Sequence, residues 1–171
     1  MSDTRETPVP GYAYIALLGR SVWALINAYY AVVREKQLHP GRVIILAEEP
    51  YVASAQTARE GLAIISEAFG FSPVIDIVAV GEADVAGAGT AIEGLVREMK
   101  RQGSAVSVDI TSGRKATVAG ALITIARADL EVRNLFYLAI RATEDIARPY
   151  MMIPLHAQQI RDFIDDAAVR S

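Results

Sequence analysis

Four times in succession, a short apolar run stops at a turn of glycine, acid or hydroxyl residues and gives way to a segment whose apolar residues recur at helical spacing. The runs are "GYAYIALLG" at 11–19, "RVIILA" at 42–47, "SPVIDIVAV" at 72–80 and "SAVSVDI" at 104–110. Helical segments follow from Ser21 to about Lys36, Val52 to Phe69, Thr90 to Arg101 and Lys115 to about Ala128. Ser21 is placed to cap the first of them, and His39-Pro40-Gly41 breaks it before the second run. A strand that cannot reach the next strand without an intervening helix must lie parallel to it, joined by a right-handed crossover. Runs as uniformly apolar as "RVIILA" suit strands covered on both faces.

The pattern changes after residue 128. "EVRNLFYLAI" at 131–140 reads as a fifth strand, Tyr150 to Ile153 as a short sixth and Ala157 to Val169 as a closing helix. A connection as short as "RATEDIA" permits the last two strands to pair antiparallel. The expected fold is therefore α/β: a Rossmann-like, mainly parallel sheet with helices on both faces and a terminal antiparallel hairpin. A length of 171 residues fits one domain, expected over 11–171, behind a flexible lead-in at 1–10. That lead-in carries acids and a Thr-Pro pair but no apolar signal-like core.

In such a sheet ligands bind beyond the carboxyl ends of the strands, where helix N-termini aim free N–H groups. This rule gathers the loops Gly19-Arg20-Ser21, Glu48-Glu49-Pro50, 81–89 and Thr111 to Lys115 on one edge, and sends His39 to the other. The loop at 109–115, "DITSGRK", combines hydroxyls at Thr111 and Ser112, a glycine at Gly113 and cations at Arg114 and Lys115, all at a helix start. Those are the parts of a phosphate site. Gly19, Arg20 and Ser21 supply matching parts in the first loop, although Ser21 serves equally well as a simple helix cap. Asp109 is suited to accept loop N–H groups and fix the turn. Glu48, Glu49, Glu82 and Asp84 share the edge, either as solvated charges or as partners for ribose hydroxyls, base amino groups or the cations of a second subunit.

Other chemistries lack their residues. Gly113-Arg114-Lys115-Ala116 does not fit a Walker A loop, and no GxGxxG follows the first strand, although Glu48 sits where a ribose-binding acid would. The chain has no cysteine, and His39 and His156 show no ligand-like spacing to carboxylates, so neither a metal nor a cofactor is expected. His156 is left as a surface or packing residue, or a local base. A formal charge of -3 argues against long duplex nucleic acid as a partner, and no apolar run reaches the length of a membrane span. The expected location is cytoplasmic. The helices "SVWALINAYYAVV" and "TVAGALITIA" are apolar nearly all round, with Gly120 between Ala119 and Ala121 permitting close approach. Either neighbouring helices of the same chain or a second copy in a homodimer would cover them.

The turn "VDITSGRKATVAGAL" resembles the Asp-x-Thr-Gly-Gly-x-Lys signature of CARF domains, the CRISPR-associated Rossmann-fold sensors of cyclic oligoadenylates, and "LLGRSVWAL" resembles that family's other ligand loop. Ser112 departs from the pattern by replacing the first glycine of the pair. The resemblance covers about residues 12–155 and implies a homodimer that binds a ring of adenylates across its twofold axis. It places Arg20, Ser21, Thr111, Gly113, Arg114 and Lys115 at binding positions, with Lys115 as the signature lysine. The chain's size leaves no length for a separate effector domain and resembles standalone ring nucleases. The activity implied is metal-independent cleavage of cyclic oligoadenylate, tetra-adenylate being expected, by ribose 2'-hydroxyl attack. Lys115 and Arg114 would stabilise the transition state and Ser21 would orient the reacting group. Two alternatives are a non-catalytic sensor of the same ligand and a partner-binding module with a vestigial site.

Overall fold

A computed structural model describes residues 11–141 and 147–169. The lead-in expected at 1–10 lies outside the described residues. The expected alternation is present: β1 (Tyr12–Leu18), α1 (Val22–Glu35), β2 (Arg42–Glu48), α2 (Val52–Ala68), β3 (Val74–Val80), α3 (Val85–Arg101), β4 (Ala105–Ser112), α4 (Lys115–Arg127), β5 (Asn134–Ile140), β6 (Gln158–Asp162) and α5 (Phe163–Ala168). The strands form one sheet in the order β3-β2-β1-β4-β5-β6. All neighbours run parallel except β5 and β6, which pair antiparallel.

Strand alternation divides the core in two. Tyr14, Ala16 and Leu18 of β1, with Val43, Ile45 and Ala47 of β2, face α1 and α2. Ala13, Ile15 and Leu17, with Ile44 and Leu46, face α3 and α4. Both faces of the central strands are therefore buried, which explains their continuous apolar character. Because chain direction across the sheet reverses between β1 and β4, the crevice of this fold opens at their carboxyl ends.

Three expectations are corrected. Helix α3 starts at Val85 instead of Thr90, because Asp84 caps it by accepting the Gly87 N–H at 2.8 Å. The segment "VAGAG" was expected in the loop because small residues mask helical spacing. Tyr150–Met152 is a 3-10 turn lying between Pro149 and Pro154, not a strand. The sixth strand is Gln158–Asp162, and α5 is correspondingly shorter than the helix expected from 157. The inward residues of β6 are Gln158, Ile160 and Asp162, so polar groups that bond within the fold interrupt the apolar alternation.

The close approach at Gly120 is made inside the chain: a Cβ there would stand 2.2 Å from the Val85 carbonyl oxygen of α3. The small-residue stretch of α4 thus packs against a neighbouring helix. On α1, Tyr29 bonds Ser66 of α2, and the Tyr30 ring meets both Phe69 and Tyr150. Same-chain elements therefore supply much of the expected cover. Among the described residues, no helix is long and apolar enough to cross a membrane.

Candidate ligand-binding cleft

Where β4 ends, its pairing with both neighbours becomes irregular. The register with β1 advances from Ala16↔Asp109 to Leu18↔Ser112, so β4 carries an extra residue there. Pairing with β5 stops at Asp109↔Phe136. Such a bulge bends the strand and re-aims its side chains.

Asp109 organises this break from the buried side. Its Oδ2 accepts the Tyr14 hydroxyl at 2.7 Å, and its Oδ1 accepts the Thr111 N–H at 2.9 Å and the Thr111 hydroxyl at 2.5 Å. Thr111 Oγ1 in turn accepts the Leu138 N–H at 2.9 Å, tying β4 to β5 beyond the last paired residues. The expectation that Asp109 fixes the turn is borne out, and Thr111 is committed to the same task. Burial pushes the Asp109 carboxyl up to about 6, against the opposing effect of the Thr111 and Tyr14 hydrogen bonds.

Ser112 joins the two expected ligand loops. Its hydroxyl donates to the Ser21 carbonyl at 2.7 Å and accepts the Gly19 N–H at 3.3 Å. The approach is so tight that a Cβ on Gly19 would fall 2.4 Å from the Ser112 carbonyl oxygen. Replacement of the signature glycine by serine therefore adds a clasp between the loops. Ser21 caps α1, its Oγ accepting the Ala24 N–H at 3.1 Å. Gly113 does not occupy the left-handed region, so the turn needs its small size and not its conformational freedom.

The loops border an open cleft of about 560 Å³ lined by Arg20, Gly113, Arg114, Lys115 and Ala116. Lys115 is the first residue of α4, and no side chain caps that helix. Its first-turn N–H groups and positive dipole end therefore face the cleft without an internal acceptor from a side chain. Arg20 and Lys115 are exposed and stand outside the ion pairs of the described residues.

Arg114 is differently placed. Its Nη1 is 3.0 Å from Glu48 Oε2 and 3.2 Å from Glu82 Oε1, and the guanidinium lies 5.9 Å from the Tyr51 ring centroid. Alternation along β2 turns Glu48 to the same face as Ile44 and Leu46, beneath the first turn of α4. There its Oε1 accepts the Thr117 hydroxyl at 2.5 Å and its Oε2 accepts the Ala83 N–H at 3.4 Å. The sequence offers Glu48 a ribose, a base or a cation of a second subunit as its partner; the structure instead pairs it with Arg114 of the same chain and with Thr117, which the sequence does not single out. Neither has a local signal, since the groups that meet are 66 and 69 residues apart. Glu49 is exposed, Asp84 caps α3, and His156 is exposed on a 3-10 turn and does not line the cleft. His39 stacks on Phe71 beside the start of β2, at the expected opposite edge.

No family model and no curated protein matches the chain. Solved structures do. Can2 from Sulfobacillus thermosulfidooxidans in complex with cyclic tetra-adenylate gives a TM-score of 0.55 at 17% identity, over 75% of this chain and 32% of that one. Csm6 from Enterococcus italicus bound to cyclic hexa-2'-fluoro-hexa-dAMP gives 0.56 at 14%, over 81% and 35%. A type III CRISPR defence DNA nuclease activated by cyclic oligoadenylate gives 0.54 at 19%, over 78% and 19%. The chain thus spans about a third or less of the length of these proteins. At these identities the likeness is one of fold: the chain shares the Rossmann-like architecture expected from its four strand-helix units with these proteins.

Proposed function

We propose that the chain binds a cyclic oligoadenylate, tetra-adenylate first, and cleaves it without a metal, with a second copy of the chain completing the site. The observation that carries this reading is the convergence of Arg20, Lys115 and the uncapped start of α4 on one cleft at the β1/β4 crevice. A polyanion is the ligand class such a surface favours. The cyclic oligoadenylates bound by Can2 and activating the CRISPR nuclease of the same fold support the choice among polyanions.

The chemistry asks little of the protein. A ribose 2'-hydroxyl gives up its proton to solvent water as its oxygen attacks the adjacent phosphorus, the P–O5' bond breaks, and the 5'-oxygen takes a proton from water, giving a 2',3'-cyclic phosphate and a 5'-hydroxyl. The chain's part is to hold these groups in line and to stabilise the developing charge. Lys115 does the latter, aided by the α4 N-terminus. Ser21, whose oxygen already caps α1, positions the loop and the ring phosphate through its remaining hydroxyl proton.

A non-catalytic sensor is the second reading, favoured by the commitment of Arg114 to two carboxylates, which leaves fewer groups for transition-state charge. Incubation with cyclic tetra-adenylate, and separately hexa-adenylate, in EDTA separates the two. Linear products bearing 2',3'-cyclic phosphate are expected, with Lys115→Ala slowing their formation about 100-fold or more. An intact ring recovered with the protein would replace the enzyme by the sensor, and an unchanged rate in Lys115→Ala would remove the assigned role of that lysine.

A further inference from the structure

The two acids that hold Arg114 are unlike each other. Glu48 is 1% exposed and has Thr117 and Ala83 as further partners, whereas the Glu82 side chain is 59% exposed and, among the described residues, bonds only Arg114. Separating Arg114 from Glu48 would strand a buried charge, which costs far more than breaking an exposed pair. The weaker contact is therefore the one to Glu82. Arg114 also borders the cleft beside Arg20 and Lys115. An incoming phosphate needs the same guanidinium protons, and it arrives where the α4 start already favours negative charge.

We propose that Glu82 is a resident competitor for Arg114: it occupies the guanidinium in the empty cleft, an anionic ligand displaces it, and Glu48 keeps Arg114 in place throughout. This rests on the polyanion-binding reading of the cleft. Glu82 thereby sets the ligand's affinity without touching it. It also ties the β3–α3 connection to the cleft, because Ala83, adjacent in that turn, donates to Glu48 and holds a left-handed backbone (φ 52°). Ligand displacement of Glu82 leaves that second tie intact.

The test measures affinity for cyclic tetra-adenylate and hexa-adenylate by calorimetry, in the wild type and in Glu82→Gln, Arg114→Gln and the double variant. Glu82→Gln should bind about two- to five-fold more tightly, the range expected when an exposed ion pair no longer has to be broken. The gain should vanish in the Arg114→Gln background, since coupling through one partner is what a double-mutant cycle isolates. Glu49→Gln, which removes an equal charge from the same edge and is not among the described ion-pair partners of Arg114, should produce less than the Glu82 effect. Where Arg114→Gln alone melts below the assay temperature, Glu48→Gln with Arg114→Gln provides the background, because it removes the buried charge together with its cation. Wild-type binding unaffected or weakened by Glu82→Gln overturns the competition alone. So does an equal gain with Arg114 absent, which would mean general repulsion. Failure of both wild type and Glu82→Gln to bind either ring overturns the reading of the cleft and the competition with it, whereas binding by Glu82→Gln only would support both.

Discussion

Two buried carboxylates stand at the same edge of the sheet, and their surroundings differ. Asp109 is held by a phenol, a threonine hydroxyl and a backbone N–H, with no cation among its hydrogen-bond partners. Glu48 is held by a guanidinium, a threonine hydroxyl and a backbone N–H. Alternation sends Asp109 toward Tyr14 and the α1 side, and Glu48 toward α4. The first fixes backbone: its partners rebuild the β4–β5 junction where the bulge breaks it. The second fixes charge, keeping Arg114 against the acids so that, among the described residues, Arg20 and Lys115 are the cleft cations left outside ion pairs. The comparison teaches that the chemical character of the cleft depends on a rigid floor and on how its positive charge is divided.

The Asp109 side of this pair carries a pH dependence. The Asp109 carboxyl sits at about 6 when folded against a usual 3.8. The folded state therefore binds the proton more tightly than the unfolded chain, and the protonated group adds stability that is full below about pH 3.8, falls as pH rises, and is gone above about 6. The shift corresponds to about 3 kcal/mol. Asp109→Asn should remove this component, so the difference in urea unfolding free energy between wild type and variant should change by that order between pH 4 and pH 6.5. A difference independent of pH would mean that Asp109 is not held as a buried acid away from cations.

A smaller effect tests the clasp beside the Asp109 floor. Ser112→Ala removes both bonds between the two ligand loops and should cost about 1–2 kcal/mol of unfolding free energy. It should also weaken ring binding, because Gly19 and Ser21 lose their anchor. Equal stability and affinity in the variant would show that backbone packing alone holds the loops.

Much of the floor was legible in sequence, and little of the charge distribution was. Asp109, Thr111 and Gly113 lie within one turn of chain, where short spacing constrains what can meet. The ends of β1 and β4 could be placed on one edge because four strand-helix units admit few topologies. Glu48 ends β2, Arg114 sits at the N-cap position of α4 and Glu82 lies in the β3–α3 turn, and no local pattern states that they meet. Ser112 could be seen as a departure from a glycine signature, but its bonds to Gly19 and Ser21 span 93 and 91 residues. The sixth strand was hidden by polar side chains that point inward to bond, and the start of α3 by alanine and glycine, which carry almost no periodic signal.

The central claim is that Arg20 and Lys115 form a polyanion site completed by a second copy of the chain. Calorimetric titration with cyclic tetra-adenylate tests it most directly, using the wild type and the Arg20→Ala/Lys115→Ala double variant. The account predicts one ring bound per two wild-type chains, with affinity reduced about 100-fold or more in the double variant, as expected when two charge-assisted contacts are lost. Binding that survives the double substitution undiminished, or a wild type that takes up neither tetra-adenylate nor hexa-adenylate, would contradict it.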